Sequence, residues 1–166
     1  MKIDLNKPLH KLVLAGLLAG CVLLLTIAVP IPIPNMAGAY INPGDTGVYV
    51  AAYLLGSPWG VLAAAVGSAL ADILLGSLLY AGPTFLIKGM MAFVAAKLLK
   101  NWQGKKLIAL LFAGILMPLG YFLYETALYG AATALVGVPL NLIQYVIGVA
   151  LGLVAIKVLE RFDLTK

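Results

Sequence analysis

Lys97-Leu98-Leu99-Lys100-Asn101-Trp102-Gln103-Gly104-Lys105-Lys106 sets four lysines within ten residues, between apolar stretches covering about 84–99 and 107–131. Lysine-rich links between apolar stretches stay on the cytoplasmic side of a membrane. Further apolar stretches cover about 11–29, 45–56, 60–79 and 139–159. Two other junctions are basic: Lys2, Lys7 and Lys11 at the start, and Lys157, Arg161 and Lys166 at the end. If each of the six stretches crosses once, ten of the eleven basic side chains fall on one face. The opposite face receives Pro-, Asn-, Gly- and Tyr-rich loops with almost no charge. The expected fold is therefore an all-α membrane protein with six transmembrane helices and cytoplasmic N- and C-termini, forming one domain over 1–166.

Composition agrees. A chain that is 63% hydrophobic and 10% charged, with 18 glycines, is not a soluble domain. The excess of basic charge lies beside the spans, where anionic headgroups are natural partners, and no basic face with interleaved aromatics points to nucleic acid. The first stretch meets Pro30-Ile31-Pro32-Ile33-Pro34 rather than a small-residue cleavage site, so it reads as retained. The single cysteine, Cys21, is expected to pack within the first helix's contacts. The single histidine, His10, is read as an interfacial residue, and neither a metal-ligand spacing nor a cofactor motif is present.

A span needs about 20 residues. The first, third, fifth and sixth stretches meet that length, whereas the second has only about 12 residues before Ser57-Pro58-Trp59-Gly60. Irregular backbone at membrane depth is tolerated where it is buried in protein or lines a cavity. The proline-rich segment 30–44 is accordingly expected to fold over the bundle as an ordered outer loop beside a pocket. Small residues four apart, Ala15/Ala19 and Gly16/Gly20 on the first helix and Gly60/Ala64, Ala63/Gly67 and Gly67/Ala71 on the third, allow close helix approach. Their spacing fits internal packing and fits a face offered to another protein.

Ionisable groups within apolar spans are costly and mark functional sites by default. Here they are Asp45, Asp72, Lys88 and Glu125, and the topology puts all four in the outer half of the membrane. Polar neighbours share that depth: Tyr40 and Asn42 before Asp45, Tyr80 and Thr84 flanking the turn before Lys88, Tyr121 beside Glu125, and Asn141 and Gln144 opening the sixth helix. Each has a structural alternative. Tyrosines form interfacial belts, Asp45 is placed to cap a helix, and Asp72 with Lys88 would make a buried ion pair. Glu125 has no evident basic partner except Lys88 and is the first choice for contacting a ligand. Rings, amides and carboxylates together suit a small, flat, polar heterocycle. They do not suit ion conduction, which needs repeated ligand rings.

The run Gly38-Ala39-Tyr40-Ile41-Asn42-Pro43-Gly44-Asp45, with Leu55-Gly56-Ser57-Pro58-Trp59-Gly60, Gly67-Ser68-Ala69-Leu70-Ala71-Asp72, Tyr80-Ala81-Gly82-Pro83-Thr84 and Ile87-Lys88-Gly89, resembles the substrate-binding S component of energy-coupling factor (ECF) transporters. Pro43 stands where the family more often has leucine. The resemblance implies a six-helix subunit, not itself an enzyme, in a bacterial cell membrane. It would capture a water-soluble vitamin or precursor from outside and work with a transmembrane coupling subunit and two cytoplasmic ATPases. It also implies that loop 30–44 is a lid, that the small-residue patch of the first helix (Ala15 and Ala19, beside Gly16 and Gly20) meets the coupling subunit, and that the whole subunit topples in the membrane to deliver its cargo. Relatives with this pattern are riboflavin, hydroxymethylpyrimidine or pyridoxine types; the compact loops favour the smaller heterocycles. A structural or assembly protein, a membrane enzyme and a self-sufficient secondary carrier are the competing classes.

Overall fold

A computed structural model describes residues 7–102 and 104–162; Lys2 and Lys166 of the basic termini lie outside these. Helices dominate: α1 (Pro8–Ala28), α2 (Asp45–Leu55), α3 (Trp59–Leu74), α4 (Leu78–Asn101), α5 (Lys106–Gly114), α6 (Leu116–Tyr129) and α7 (Ala131–Arg161). Between α1 and α2 a two-stranded hairpin pairs β1 (Ile31–Pro32) with β2 (Tyr40–Ile41) in antiparallel register, Ile31 opposite Ile41.

Four segments are long and apolar enough to cross a membrane: Pro8–Ala28, Leu78–Asn101, Lys106–Tyr129 and Ala131–Arg161. The expected short second helix is present, with 11 residues. The third and fourth depart from expectation. The chain turns at Leu75-Gly76-Ser77, where Gly76 takes a φ of +76°, rather than near Gly82-Pro83. As a result α3 has 16 residues and α4 has 24. Pro83 lies inside α4, where it has no N–H for the carbonyl of Leu79. The Tyr124 hydroxyl donates to that carbonyl instead, at 2.6 Å.

Proline also marks the break in the fifth stretch. Pro118 removes the N–H that would bond Gly114, and the helix is interrupted at Ile115 between α5 and α6. Two tyrosines brace the turn before it: Tyr49 donates to the Leu110 carbonyl at 3.2 Å, and Tyr145 to that of Leu111 at 3.0 Å. The last helix starts at Ala131, eight residues before its expected start, because Pro139 is accommodated within it. Asn141 and Gln144 therefore sit in its third and fourth turns rather than at its opening.

The core forms where α2 is enclosed by α4, α5 and α7 around fully buried Tyr49, Met91, Leu110 and Met117. On α1 the buried stripe is Ala15, Leu18, Val22 and Thr26, a helical spacing facing α2 and α3. Gly67 of α3 lies so close that a Cβ there would meet the carbonyl oxygen of Ala19 and come within 2.9 Å of Val22 Cβ. Ala15 is thus buried inside the bundle rather than facing outward, and Ala19 is half-buried beside it. Gly16 and Gly20, by contrast, have open space where a side chain would stand, and Gly16 is exposed. Cys21, expected to pack, is exposed as well.

Helix directions gather the end of α1, the start of α2, the end of α3, the start of α4, the end of α6 and the first half of α7 at one end of the molecule. At the other end lie Lys7, Lys11, Lys97, Lys100, Lys105, Lys106, Lys157 and Arg161, which are all the described basic residues except Lys88. There Lys106 pairs with Glu160, which also accepts from the Tyr53 hydroxyl at 3.0 Å, tying α2, α5 and α7 together.

Candidate functional site

A polar cavity opens between the hairpin segment and the helix ends gathered beneath it. Ten expected residues line it: Tyr40, Asn42, Asp72, Tyr80, Thr84, Lys88, Tyr121, Glu125, Asn141 and Gln144. Asp45 does not; it sits behind the wall and holds two members in place. Thr26, Gly44 and Ser68 also line the cavity, and sequence reasoning passed over them. Ser68 had a signal, since it lies one helical turn before Asp72 on the same face of α3.

Helical spacing builds each wall. Tyr80, Thr84 and Lys88 are four apart, so the first three turns of α4 aim them at one face. Tyr121 and Glu125 do the same on α6, and Asn141 and Gln144 are three apart on α7. The Thr84 and Tyr121 oxygens are 2.8 Å apart, and the Lys88 ammonium lies 5.6 Å from the Tyr121 ring centre. Edge-on packing of Tyr80 against Tyr124, centroids 5.3 Å apart, closes the aromatic side.

The charges pair differently from expectation. Lys88 makes its ion pair with Asp45, not Asp72, and both are almost fully buried. Gln144 Nε2 donates to the other Asp45 oxygen at 2.8 Å, so Asp45 is a brace between α2, α4 and α7 rather than a side-chain cap. Gly148 makes room for it, because a Cβ there would come within 2.7 Å of Asp45 Cβ. Asp72 instead accepts a short hydrogen bond from the Tyr40 hydroxyl. Burial, and then that carboxylate, push the Tyr40 phenol well above its ordinary pKa, so it stays a donor.

The 30–44 segment is seated by three kinds of contact. Ile33, Met36, Ala39 and Ile41 bury themselves with Tyr80 against Tyr121, Tyr124, Tyr129 and Leu140. The Asn42 amide donates to Gln144 Oε1 at 2.9 Å, and the Tyr129 hydroxyl to the Ala37 carbonyl at 3.0 Å. Tyr40 supplies the third through Asp72. Removing a hydrogen bond to a charged group costs about 1.5–3 kcal/mol. Tyr40→Phe is therefore expected to shift the segment toward its open state about tenfold or more, which faster hydrogen exchange of the amides of residues 30–44 would read.

Four buried polar atoms in this cavity wall have no hydrogen-bond partner: Asp72 Oδ2, Tyr80 Oη, Glu125 Oε2 and Asn141 Nδ2. Their residues are 4%, 3%, 1% and 3% exposed. An unmet buried polar atom is costly, and four lining one space make that space a place for a polar guest. The cavity is small, about 20 Å³.

The apolar helical bundle thus holds a polar cavity at one end, lined in part by segment 30–44. Residues 6–161 match the family of the ECF-type riboflavin transporter, S component, and the chain belongs to that family. It is 27% identical over 161 residues to the thiamine precursor transporter HmpT of Lactococcus lactis subsp. cremoris, covering 97% of this chain and 94% of that one. It is 36% identical over 129 residues to an uncharacterised protein from the gap 3′ region of Pyrococcus woesei, covering 76% and 86%. The fold matches that of the S component of a bacterial ECF transporter with a TM-score of 0.77 at 20% identity, over 94% of this chain and 98% of that one. The chain is thus a multi-pass membrane protein of vitamin or vitamin-precursor uptake, and members of its family are transport components rather than enzymes.

Proposed function

We propose that this subunit captures a small heterocyclic vitamin or precursor, of the hydroxymethylpyrimidine or pyridoxine kind, in the cavity beneath segment 30–44. The observation that carries the reading is the group of four unpartnered buried atoms on Asp72, Tyr80, Glu125 and Asn141. Aromatic rings, amides and carboxylates around a confined space favour a ring of about the size of a pyrimidine over a tricyclic flavin. Resemblance to a transporter of a thiamine precursor supports the same choice.

In this reading all six stretches cross a plasma membrane with both termini cytoplasmic, as the lysine-rich end requires. The cavity then faces outward, segment 30–44 is its lid, and a transmembrane coupling subunit with two ATPases supplies the drive. The coupling subunit docks on the open Gly16/Gly20 side of α1. The described lid-end loops carry no basic residue, which permits the subunit to tilt in the bilayer.

Riboflavin is the second reading, favoured by the name of the matching family. Mass spectrometry of small molecules released from the detergent-purified protein, followed by titration with hydroxymethylpyrimidine, pyridoxine and riboflavin, decides between them. A co-purified pyrimidine or pyridine that binds tightly is the expected result. Riboflavin binding alone would overturn the choice of ring, and no binding by any of the three would overturn the capture of such a heterocycle.

A further inference from the structure

Glu125 and Asn141 both reach Gly137 in the cavity wall, with the Tyr80 hydroxyl also beside Glu125. Both are nearly fully buried, both line the cavity, and both leave one polar side-chain atom unmet. They come from different helices, α6 and α7, and meet across Gly137. A Cβ at Gly137 would lie 3.1 Å from Glu125 Oε2 and 3.7 Å from Asn141 Nδ2. Around that point stand one acceptor-only atom and one donor-only atom. The methyl of Met36, carried by the hairpin segment, is 2.6 Å from the same point and can satisfy neither.

Resting on the vitamin-capture reading, we infer that Glu125 and Asn141 form an edge reader for a nitrogen heterocycle. Glu125 Oε2 accepts from an amino or ring N–H group, and Asn141 Nδ2 donates to the ring nitrogen or carbonyl next to it. The class so defined is a ring with a donor and an acceptor adjacent on one edge. An aminopyrimidine has such an edge, as does the imide of a flavin. Pyridoxine does not, because its ring nitrogen has no N–H or amino group beside it. Gly137 is the opening that lets the two side chains present themselves together, with the flexible Met36 moving aside as the ring enters.

The test uses two probes that differ only at the edge: 4-amino-5-hydroxymethyl-2-methylpyrimidine and its 4-oxo counterpart. The amino form presents a donor at the exocyclic position and an acceptor at the adjacent ring nitrogen; the oxo form reverses them. Titration of the full-length protein in detergent should show the amino form binding about 10- to 100-fold more tightly, the effect of mismatched hydrogen bonds at a charged, buried site. Glu125→Gln and Asn141→Asp should each erode that preference, and the double variant should turn it round, since glutamine can donate where glutamate cannot and aspartate accepts where the amide donated. If titration identifies a flavin instead, riboflavin and its N3-methyl derivative form the corresponding pair, and methylation should cost a similar factor.

Equal binding of the two probes by the unaltered protein, which needs no variant to fold, would overturn the edge reader while leaving vitamin capture standing. So would tight binding of pyridoxine alone. Failure of every heterocycle to bind would instead overturn the underlying reading.

Discussion

Lys88→Met is expected to cost about 3–5 kcal/mol, the largest single loss of stability available at this site, because it strands the Asp45 carboxylate in the bundle. The pair is buried on both sides, with Lys88 3% and Asp45 1% exposed. Gln144 then remains as the carboxylate's side-chain hydrogen-bond donor, and one amide does not replace an ammonium. Neutralising both partners should behave differently. In Asp45→Asn with Lys88→Met, no charge is left without a counter-charge, and Gln144 Nε2 can still donate to the asparagine carbonyl. Recovery of most of the lost stability in the double variant, read from thermal unfolding of the detergent-purified proteins, would establish the pair as a helix brace. An unchanged midpoint in Lys88→Met would mean that water or another group compensates Asp45.

The second large effect is expected at α1 and α3. Gly67→Leu places a branched side chain where the backbone carbonyl of Ala19 already lies, and backbone cannot rotate away as a side chain can. Overpacking of a tight contact typically costs about 1–3 kcal/mol, occasionally more. Here the contact also sets a close approach between helices that lipid does not push together. Loss of monodisperse protein is the expected outcome. Gly16→Leu, on the open side of the same helix, should leave folding and ligand binding near normal but weaken retention of the coupling subunit in co-purification. Equal tolerance of both substitutions would contradict the packing of α1 on α3; an intact complex with Gly16→Leu would remove that side of α1 from the docking surface.

These two cases show what a sequence can and cannot convey. The apolar stretches, their lysine-rich junctions and the short second helix follow from composition and length, because a membrane constrains both. Ten of the cavity-lining residues were legible for the same reason: polar groups in apolar helices have few places to go. Which carboxylate Lys88 meets was not legible. Asp45 and Asp72 are both within reach of a long side chain, and the choice depends on α2 being drawn in between α4 and α7, a matter of packing across more than forty residues. Likewise Ala15 and Gly16 are neighbours in sequence, but a step of about 100° around a helix separates the buried side from the open one. Prolines misled in a regular way. The turn expected between Tyr80 and Thr84 and the start expected at about 139 both fall at a proline that is accommodated inside a helix; at Pro83 the freed carbonyl is taken up by a tyrosine from another helix, which no local rule reveals.

The balance of charge around the cavity has a consequence for selectivity. Asp72 and Glu125 line the cavity beside a single buried cation, Lys88, which Asp45 already pairs from behind the wall, and the other described basic side chains lie at the far end of the bundle. An enclosure with more carboxylates than cations repels anions over the whole approach of a ligand, well before any contact forms. Phosphate esters of the same ring, which carry one or two negative charges, would meet that repulsion with no arginine or lysine free to answer it. On the reading proposed above, a phosphate ester of the ring should bind more weakly than the bare ring, and titration with the two forms would show it.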